Sequence, residues 1–139
     1  MAEIKKTTVT PYLLLNGKAK EVMKFYQQAI GGELEMRTFG EAQGPECPIA
    51  MRDQVMHATL KFGDFVLMAS DGNPQMPAQA GTNVQLAIGA PDAEIERLFK
   101  ALAAGGQVVH ALFDAPWGGK FGVLTDRYGF HWMFASSHG

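Results

Sequence analysis

The feature that most constrains the fold of this chain is a pattern of helix and strand signals that occurs twice along its 139 residues. An apolar face at helical spacing lies between residues 18 and 30, and the same face returns 73 positions further on. A pair of glycines, which is a typical helix end, follows each face. The two faces comprise Val22, Phe25, Tyr26, Ala29 and Ile30, and then Ile95, Leu98, Phe99, Leu102 and Ala103. This repeat predicts two copies of one structural module.

Each predicted helix is preceded by one strand-like segment and followed by three, because runs of apolar and β-branched residues alternate with Gly- and Pro-rich breaks. The predicted strands are 9–15, 33–39, 55–62 and 65–70 in the first copy, and 83–88, 107–113, 119–125 and 131–136 in the second. We therefore expect an α+β fold in which two βαβββ modules form a cleft between curved mixed sheets. The whole chain, 1–139, is predicted to be one domain, with module one at about 8–71, a linker at 72–81 and module two at about 82–136.

Composition excludes several classes of partner. The formal net charge is −2, and the short pair Lys5-Lys6 is too small a basic cluster for nucleic acid or an anionic membrane. No window approaches the roughly 20 apolar residues that cross a bilayer, and the first eight residues lack the apolar core of a signal peptide. Cys47 is the only cysteine, so no intramolecular disulfide is possible. We expect a cytoplasmic protein that binds neither nucleic acid nor membrane.

The phase of each strand predicts which side chains face the cleft, because the helix of each module covers the more apolar side of its sheet. For the last strands we use a displacement of 66 positions, at which Gly63 corresponds to Gly129. That displacement gives Leu67 the same facing as Met133. The predicted cleft residues on strands are Tyr12, Leu14, His57, Thr59, Leu67, Gln85, His131 and Met133.

A large aromatic residue on a loop completes the candidate ligand-binding set. Trp117 is flanked by Pro116 and by Gly118-Gly119, so it is predicted either to cover a pocket or to be buried at a dimer contact. Apolar walls with a few polar groups are typical of small-molecule sites. The same side chains are also compatible with an ordinary core between two closed sheets, and the pattern does not decide between these interpretations.

Several motifs, in their order and spacing, resemble the vicinal oxygen chelate superfamily, also called the glyoxalase/bleomycin-resistance/dioxygenase fold. Asn16-Gly17, Phe25-Tyr26 and Gly31-Gly32-Glu33 resemble its opening. Residues 56–60, 67–71 and 117–132 resemble its PhnB-like branch, and the likeness covers roughly residues 8 to 136. The resemblance implies paired βαβββ modules, often assembled as a homodimer. Some members of the branch carry a demethylubiquinone methyltransferase label, but this sequence has no glycine-rich turn of the kind that binds a nucleotide-type cofactor.

The resemblance also implies four positions at which superfamily enzymes bind a divalent metal. Here they fall on Thr10, Leu67, Asn83 and Met133. Leucine has no ligand atom, and a thioether does not suit Mg, Mn, Fe or Zn. We therefore expect no metal site and no other cofactor. His57 and His131 remain as metal ligands of an atypical site, although a catalytic zinc usually has three protein ligands.

Three functions follow from this pattern. The first is a PhnB-like, metal-independent small-molecule-binding protein of unknown specific activity. The alternative is a metal-dependent lyase, isomerase or dioxygenase that uses an atypical His57/His131 site. The third is a protein that only assembles with itself and whose cleft is packed core. The sequence identifies no catalytic residue and no ligand.

Overall fold

The computed structural model describes residues 7–137. The first half contains β1 (Tyr12–Leu14), α1 (Ala19–Ile30), β2 (Glu33–Thr38), the short helix α2 (Phe39–Gln43), β3 (Val55–Phe62) and β4 (Phe65–Ser70). The second half contains β5 (Leu86–Pro91), α3 (Asp92–Ala103), β6 (Gln107–Asp114), β7 (Lys120–Thr125) and β8 (His131–Ser137). The predicted order of strand, helix and three strands is present in both halves. The predicted loop at 40–53 contains part of α2 and two single 3-10 turns.

Each half forms one four-stranded mixed sheet. The strand orders are β1-β4-β3-β2 and β5-β8-β7-β6. In both sheets the first strand pairs in parallel with the last strand, and the other neighbours are antiparallel. These contacts divide the described chain into two compact units, residues 7–27 with 32–78 and residues 28–31 with 79–137. The α+β fold with two βαβββ modules is confirmed.

The two long helices bury the faces that their apolar spacing indicates. In α3, the residues Ile95, Leu98, Phe99 and Leu102 are buried, and the helix lies against β5, β7 and β8. The Phe99 ring meets Phe134 edge-on, with 4.9 Å between ring centroids, a favoured aromatic geometry. The buried residues of α1 are Ala19, Val22, Met23, Tyr26 and Ala29. Its buried face is therefore rotated slightly from the predicted one, since Phe25 and Ile30 are only half-buried.

A buried carboxylate attaches the start of α1 to the end of β4. Asp71 is 4% exposed; its Oδ1 accepts the backbone N–H of Ala19 at 2.8 Å, and its Oδ2 accepts that of Val55 at 2.7 Å. The first turn of a helix has N–H groups without intrahelical partners, and an anion there interacts favourably with the helix dipole. Asp71 therefore holds α1, β3 and β4 in one arrangement.

The connections between the last two strands of the modules differ by one residue. Leu60 pairs with Leu67 and is separated from it by residues 61–66, whereas Leu124 pairs with Trp132 across residues 125–131. A shift of one residue moves a strand's side chains to the opposite face of the sheet. The correspondence at 66 positions is therefore wrong for side-chain facing. Leu67 is fully buried on the same face as Leu60, and Met68 takes the position predicted for it.

The first strand of each module also differs from its prediction. β1 begins at Tyr12 rather than Val9, because Pro11 has no N–H to donate to a ladder, although its carbonyl accepts the N–H of Met68. β5 begins three residues later than predicted, at Leu86, and Val84 before it is 73% exposed. Within residues 7–137 no helix is long and apolar enough to cross a membrane.

Candidate functional site

The face of the first sheet that carries Tyr12 collects most of its polar side chains. Residues paired on neighbouring strands point to the same face of a sheet. The pairs Tyr12 with Met68, Met68 with Thr59, and Thr59 with Glu35 therefore form one row across all four strands. The next row contains Leu14 paired with Ser70, and His57 paired with Arg37. We call these eight residues the first-module face: Tyr12, Leu14, Glu35, Arg37, His57, Thr59, Met68 and Ser70.

Three predicted site residues, from β1 and β3, join in a hydrogen-bonded chain on the first-module face. The Tyr12 hydroxyl lies 2.9 Å from Nδ1 of His57, and the Thr59 hydroxyl lies 3.0 Å from Nε2 of the same ring. The rings of Tyr12 and His57 are 5.6 Å apart at an angle of 31°. His57 and Thr59 are two residues apart on β3, so they share a face, whereas Tyr12 comes from 45 residues earlier in the sequence. The structure therefore brings together Tyr12, His57 and Thr59 as the sequence predicts.

The protons of this chain can be placed by its chemistry. A neutral imidazole has one N–H donor and one acceptor nitrogen, and each hydroxyl can donate one hydrogen and accept another. A phenol is the more acidic hydroxyl, which favours Tyr12 as donor to Nδ1 and leaves the Nε2–H to donate to Thr59. In this arrangement the Thr59 hydroxyl keeps its own hydrogen. In the reverse arrangement Thr59 donates to Nε2, the Nδ1–H donates to Tyr12, and Tyr12 keeps its own hydrogen. In either arrangement one hydroxyl at an end of the hydrogen-bonded chain keeps its hydrogen.

Tyr12 is a neutral phenol in the physiological range. Burial raises the pKa of Tyr12 above its ordinary value, and a hydrogen bond from Ser70 lowers the pKa by a smaller amount. Desolvation penalises the charged phenolate, which explains the direction of the larger effect. Tyr12 therefore acts as a hydrogen-bonding group at neutral pH and not as an anion.

His131 has a different environment in the second module. Its Nδ1 lies 3.0 Å from the Thr125 hydroxyl, and its Nε2 lies 3.1 Å from the carbonyl oxygen of Gly81. A carbonyl only accepts, so Nε2 carries the hydrogen, and in the neutral ring Nδ1 accepts the hydrogen of Thr125. His131 therefore ties the segment before β5 to the sheet of its own module.

The remaining predicted residues of the second module do not join a hydrogen-bonded cluster in the described part of the chain. Met133 pairs with Ala87 and Val123 on the same face as His131 and is half-buried. Gln85 is exposed and lies just before β5. Trp117 lies between β6 and β7, is 72% exposed, and contacts the Phe121 ring edge-on at 6.0 Å. In this chain Trp117 is therefore not buried.

Sequence reasoning missed four members of the first-module face, namely Glu35, Arg37, Met68 and Ser70. Arg37 and Glu35 belong to the polar phase of β2, which alternates Glu33, Glu35 and Arg37, but this strand was not included in the predicted site. Met68 was missed because the five apolar residues of its strand do not distinguish the two phases. The alternation in β2 is a signal that sequence analysis alone could use.

Comparisons with known proteins decide the family. A family described as 3-demethylubiquinone-9 3-methyltransferase matches residues 7–135. The chain belongs to this family. It is PhnB-like: a Bacillus cereus structure described as a putative 3-demethylubiquinone-9 3-methyltransferase, PhnB protein, is 27% identical to it, with a TM-score of 0.71 over 94% of this chain and 100% of that one.

Two other solved structures are similar. Protein PA1353 from Pseudomonas aeruginosa is 39% identical, with a TM-score of 0.85 over 96% of this chain and all of that chain. A glyoxalase-related enzyme from Fulvimarina pelagi is 22% identical, with a TM-score of 0.61 over 95% of this chain and 89% of that chain. At this identity the second likeness shows the fold alone. The expected glyoxalase/bleomycin-resistance fold and PhnB-like membership are both confirmed, and these likenesses leave the specific activity of this chain unknown.

The metal positions that the superfamily implies do not fit the residues of this PhnB-like chain. Thr10 precedes β1 and Asn83 precedes β5, while Leu67 is buried on the opposite face of its sheet. Met68, which replaces Leu67 on the first-module face, and Met133 both offer only a thioether. Among residues 7–137 no three His, Cys, Asp or Glu side chains come close enough to hold a metal ion. The four implied positions thus offer neither a carboxylate nor an imidazole.

Proposed function

We propose that this protein binds a small organic molecule on the first-module face without a resident metal ion. The observation that carries the proposal is the Tyr12–His57–Thr59 chain, whose two hydroxyls lie 2.9 and 3.0 Å from the two ring nitrogens of His57. These hydrogen bonds fix the orientation of the three side chains before any ligand binds. Polar groups that rigid strands hold in place cost little entropy when a ligand binds.

The composition of the first-module face supports the same proposal. Leu14, which is 49% exposed, lies on the same strand face as Tyr12, which is 47% exposed and belongs to the hydrogen-bonded chain. Small-molecule sites combine apolar surface with a few precisely placed polar groups. On this proposal Tyr12, His57 and Thr59 are binding residues, Met68 supplies apolar contact, and Gln85, Trp117, His131 and Met133 are the second-module members of the candidate set.

A paired substitution tests the site. Thr59→Val and Thr125→Val make the same chemical change beside His57 and beside His131. In a thermal-shift screen with small metabolites, a compound that binds the first-module face raises the Tm of the native chain. We expect Thr59→Val and Tyr12→Phe to lose this increase and Thr125→Val to keep it. Equal increases in the wild type and in Thr59→Val for every stabilising compound would contradict the proposal.

Metal analysis separates this function from a metal-dependent lyase, isomerase or dioxygenase. Both ring nitrogens of His57 and of His131 already lie at hydrogen-bond distance from Tyr12, Thr59, Thr125 or Gly81. A metal would have to displace one of these partners. We expect protein purified without a chelator or an affinity tag to contain substoichiometric metal. Stoichiometric metal that disappears in His57→Ala would favour the metal-dependent enzyme instead.

The assembly and the compartment belong to the same proposal. We infer a homodimer, supported by the PhnB-like resemblance and by apolar surface on the edge strand β6, where Val108 is 46% exposed and Val109 is 62% exposed. We infer a cytoplasmic location because a chain with a single cysteine, which forms no intramolecular disulfide, suits a reducing compartment.

A further inference from the structure

Arg37 lies across from His57 on the neighbouring strand. It pairs with His57 across β2 and β3, so both side chains project from the first-module face. Opposite residues of an antiparallel pair have Cβ atoms about 5 Å apart. Arg37 is exposed, and within residues 7–137 it takes no part in the ion pairs, which involve Arg97 and Lys120. Arg37 thus lies across from His57 and outside the ion pairs of the described chain, and its charge adds a smaller lowering of the pKa of Glu41 to that of the hydrogen bonds from Thr38.

The hydrogen-bonded chain keeps one hydroxyl hydrogen in either of its two directions, and at the Tyr12 end Ser70 also forms a hydrogen bond with the hydroxyl. If Tyr12 donates to His57, the Thr59 hydroxyl has the remaining hydrogen; if Thr59 donates, the Tyr12 hydroxyl has it. A ligand that binds to the hydroxyl hydrogen therefore needs an acceptor atom, such as an oxygen. Arginine forms paired, charge-assisted hydrogen bonds with planar carboxylates. A carboxylate combines both properties, because its oxygens accept hydrogen bonds and the planar group has a negative charge.

Apolar side chains flank these donors. Leu14 and Tyr12 are each about half exposed on β1, and Met68 is half-buried on β4 between Tyr12 and Thr59 in the same row. An apolar or aromatic body attached to the carboxylate would cover this surface and remove it from water.

Resting on the proposed function, we propose that the ligand of the first-module face is a small carboxylic acid with an apolar or aromatic body. Arg37 and the hydroxyl at the end of the Tyr12–His57–Thr59 chain bind its carboxylate. Glu35, which pairs with Thr59 on the same face, opposes an anion there and sets the affinity below what Arg37 alone would give.

Benzoate and benzamide are a matched pair of probes, because they share size and ring but differ in charge. Binding is followed by backbone amide shifts of residues 12, 57 and 59 in two-dimensional NMR at low ionic strength. We expect benzoate to bind about two- to five-fold more tightly than benzamide, the range for a charged contact at an exposed site. We also expect added salt to weaken benzoate but not benzamide.

Three charge variants locate the effect. Arg37→Gln should abolish the preference for benzoate, and Glu35→Gln should strengthen benzoate binding about two- to three-fold. Lys24→Gln is the control, because it removes one positive charge from the exposed side of α1. We expect Lys24→Gln to bind like the wild type. All three residues are exposed, and circular dichroism verifies that the variants fold.

The outcomes separate this inference from the proposed function. If benzamide and benzoate bind the same residues equally, or if Lys24→Gln acts like Arg37→Gln, the carboxylate assignment is wrong while the binding face stands. If neither probe nor any compound of a neutral metabolite screen shifts residues 12, 57 and 59, both proposals fail. A benzoate preference that only Arg37→Gln removes supports both.

Discussion

At the scale of single residues, the buried Asp71 carboxylate has a structural role that a nearly isosteric amide cannot fill. Each oxygen of Asp71 accepts one backbone N–H, from Ala19 and from Val55. Asparagine keeps one acceptor but directs an N–H₂ donor at the second backbone N–H. A buried donor without an acceptor costs about 1–3 kcal/mol, and more where a charged partner is lost.

We therefore expect Asp71→Asn to lower the free energy of unfolding by about 2–4 kcal/mol in urea denaturation. Asp64→Asn makes the same change in the exposed turn between β3 and β4, and we expect it to change stability by less than about 0.5 kcal/mol. Similar midpoints for the two variants would show that the contacts of Asp71 contribute little.

Tyr12 gives a prediction about pH. Burial raises the pKa of Tyr12 in the folded chain, so the folded state holds this proton more tightly than the unfolded state does. The associated stability is fully present below the unfolded pKa of about 10 and is lost as the pH rises through the higher folded pKa. We expect the phenolate absorbance that Tyr12→Phe removes to appear at higher pH in folded protein than in protein unfolded with urea. Coincident titrations in the two states would contradict this assignment.

At the scale of elements, the turn between α1 and β2 depends on two glycines with different surroundings. Gly31 and Gly32 have φ angles of 98° and 101°, a region that side chains rarely adopt. A Cβ on Gly31 would meet nothing within 4 Å, whereas a Cβ on Gly32 would collide with the carbonyl oxygen of Lys61 and come within 2.8 Å of Cβ of Phe62.

Gly31→Ala and Gly32→Ala therefore separate backbone strain from collision. We expect Gly31→Ala to cost about 1–2 kcal/mol, the strain of a left-handed alanine. Gly32→Ala should cost more, because β3 has to move away from the turn. Urea denaturation of both variants measures the difference, and equal losses would show that the end of β3 yields without cost.

The sequence predicts the bounds of β3 and β4 but not the facing of β4. The bounds of β3 and β4 agree with their predictions, because the Gly63-Asp64 turn marks the end of the one strand and the start of the other. The predicted facing of β4 was wrong, because the only polar residue in its sequence, FVLMAS, is Ser70, which is itself buried, and the other five residues do not distinguish the two phases. The facing of β4 was therefore predicted from β8 by the displacement of 66 positions. The connection before β8 has one residue more than the connection before β4, so this displacement gives the wrong face.

The candidate site was predictable only in part for a related reason. The displacement of 73 positions identified the outward phase of β1, and this was enough to place Tyr12 on the face of His57 and Thr59. The hydrogen bond between Tyr12 and His57 spans 45 residues of sequence, so no local pattern specifies it. The approach of Arg37 to His57 depends on the register of β2, which a bulge next to Arg37 alters.

At the scale of the whole molecule, the inferred homodimer predicts a mass. Light scattering on purified protein should give about twice the chain mass of 15.1 kDa. Trp117→Ser tests whether Trp117, which is 72% exposed in the single chain, is covered in the dimer. A shift of this variant toward the monomer would assign Trp117 to the contact, and an unchanged dimer would place the contact elsewhere. A monomeric wild type would refute the homodimer.

The parallel pairing of the first and last strands has a consequence for how the chain acquires its structure during synthesis. β1 leaves the ribosome before β4, its one hydrogen-bonded neighbour among the described strands, which ends at Ser70. The hairpin of β3 and β4 forms from local contacts, whereas β1 has to wait for a partner more than 50 residues behind it. β5 and β8 repeat this dependence in the second half. Each module is thus a unit of folding that becomes complete only when its last strand has been translated.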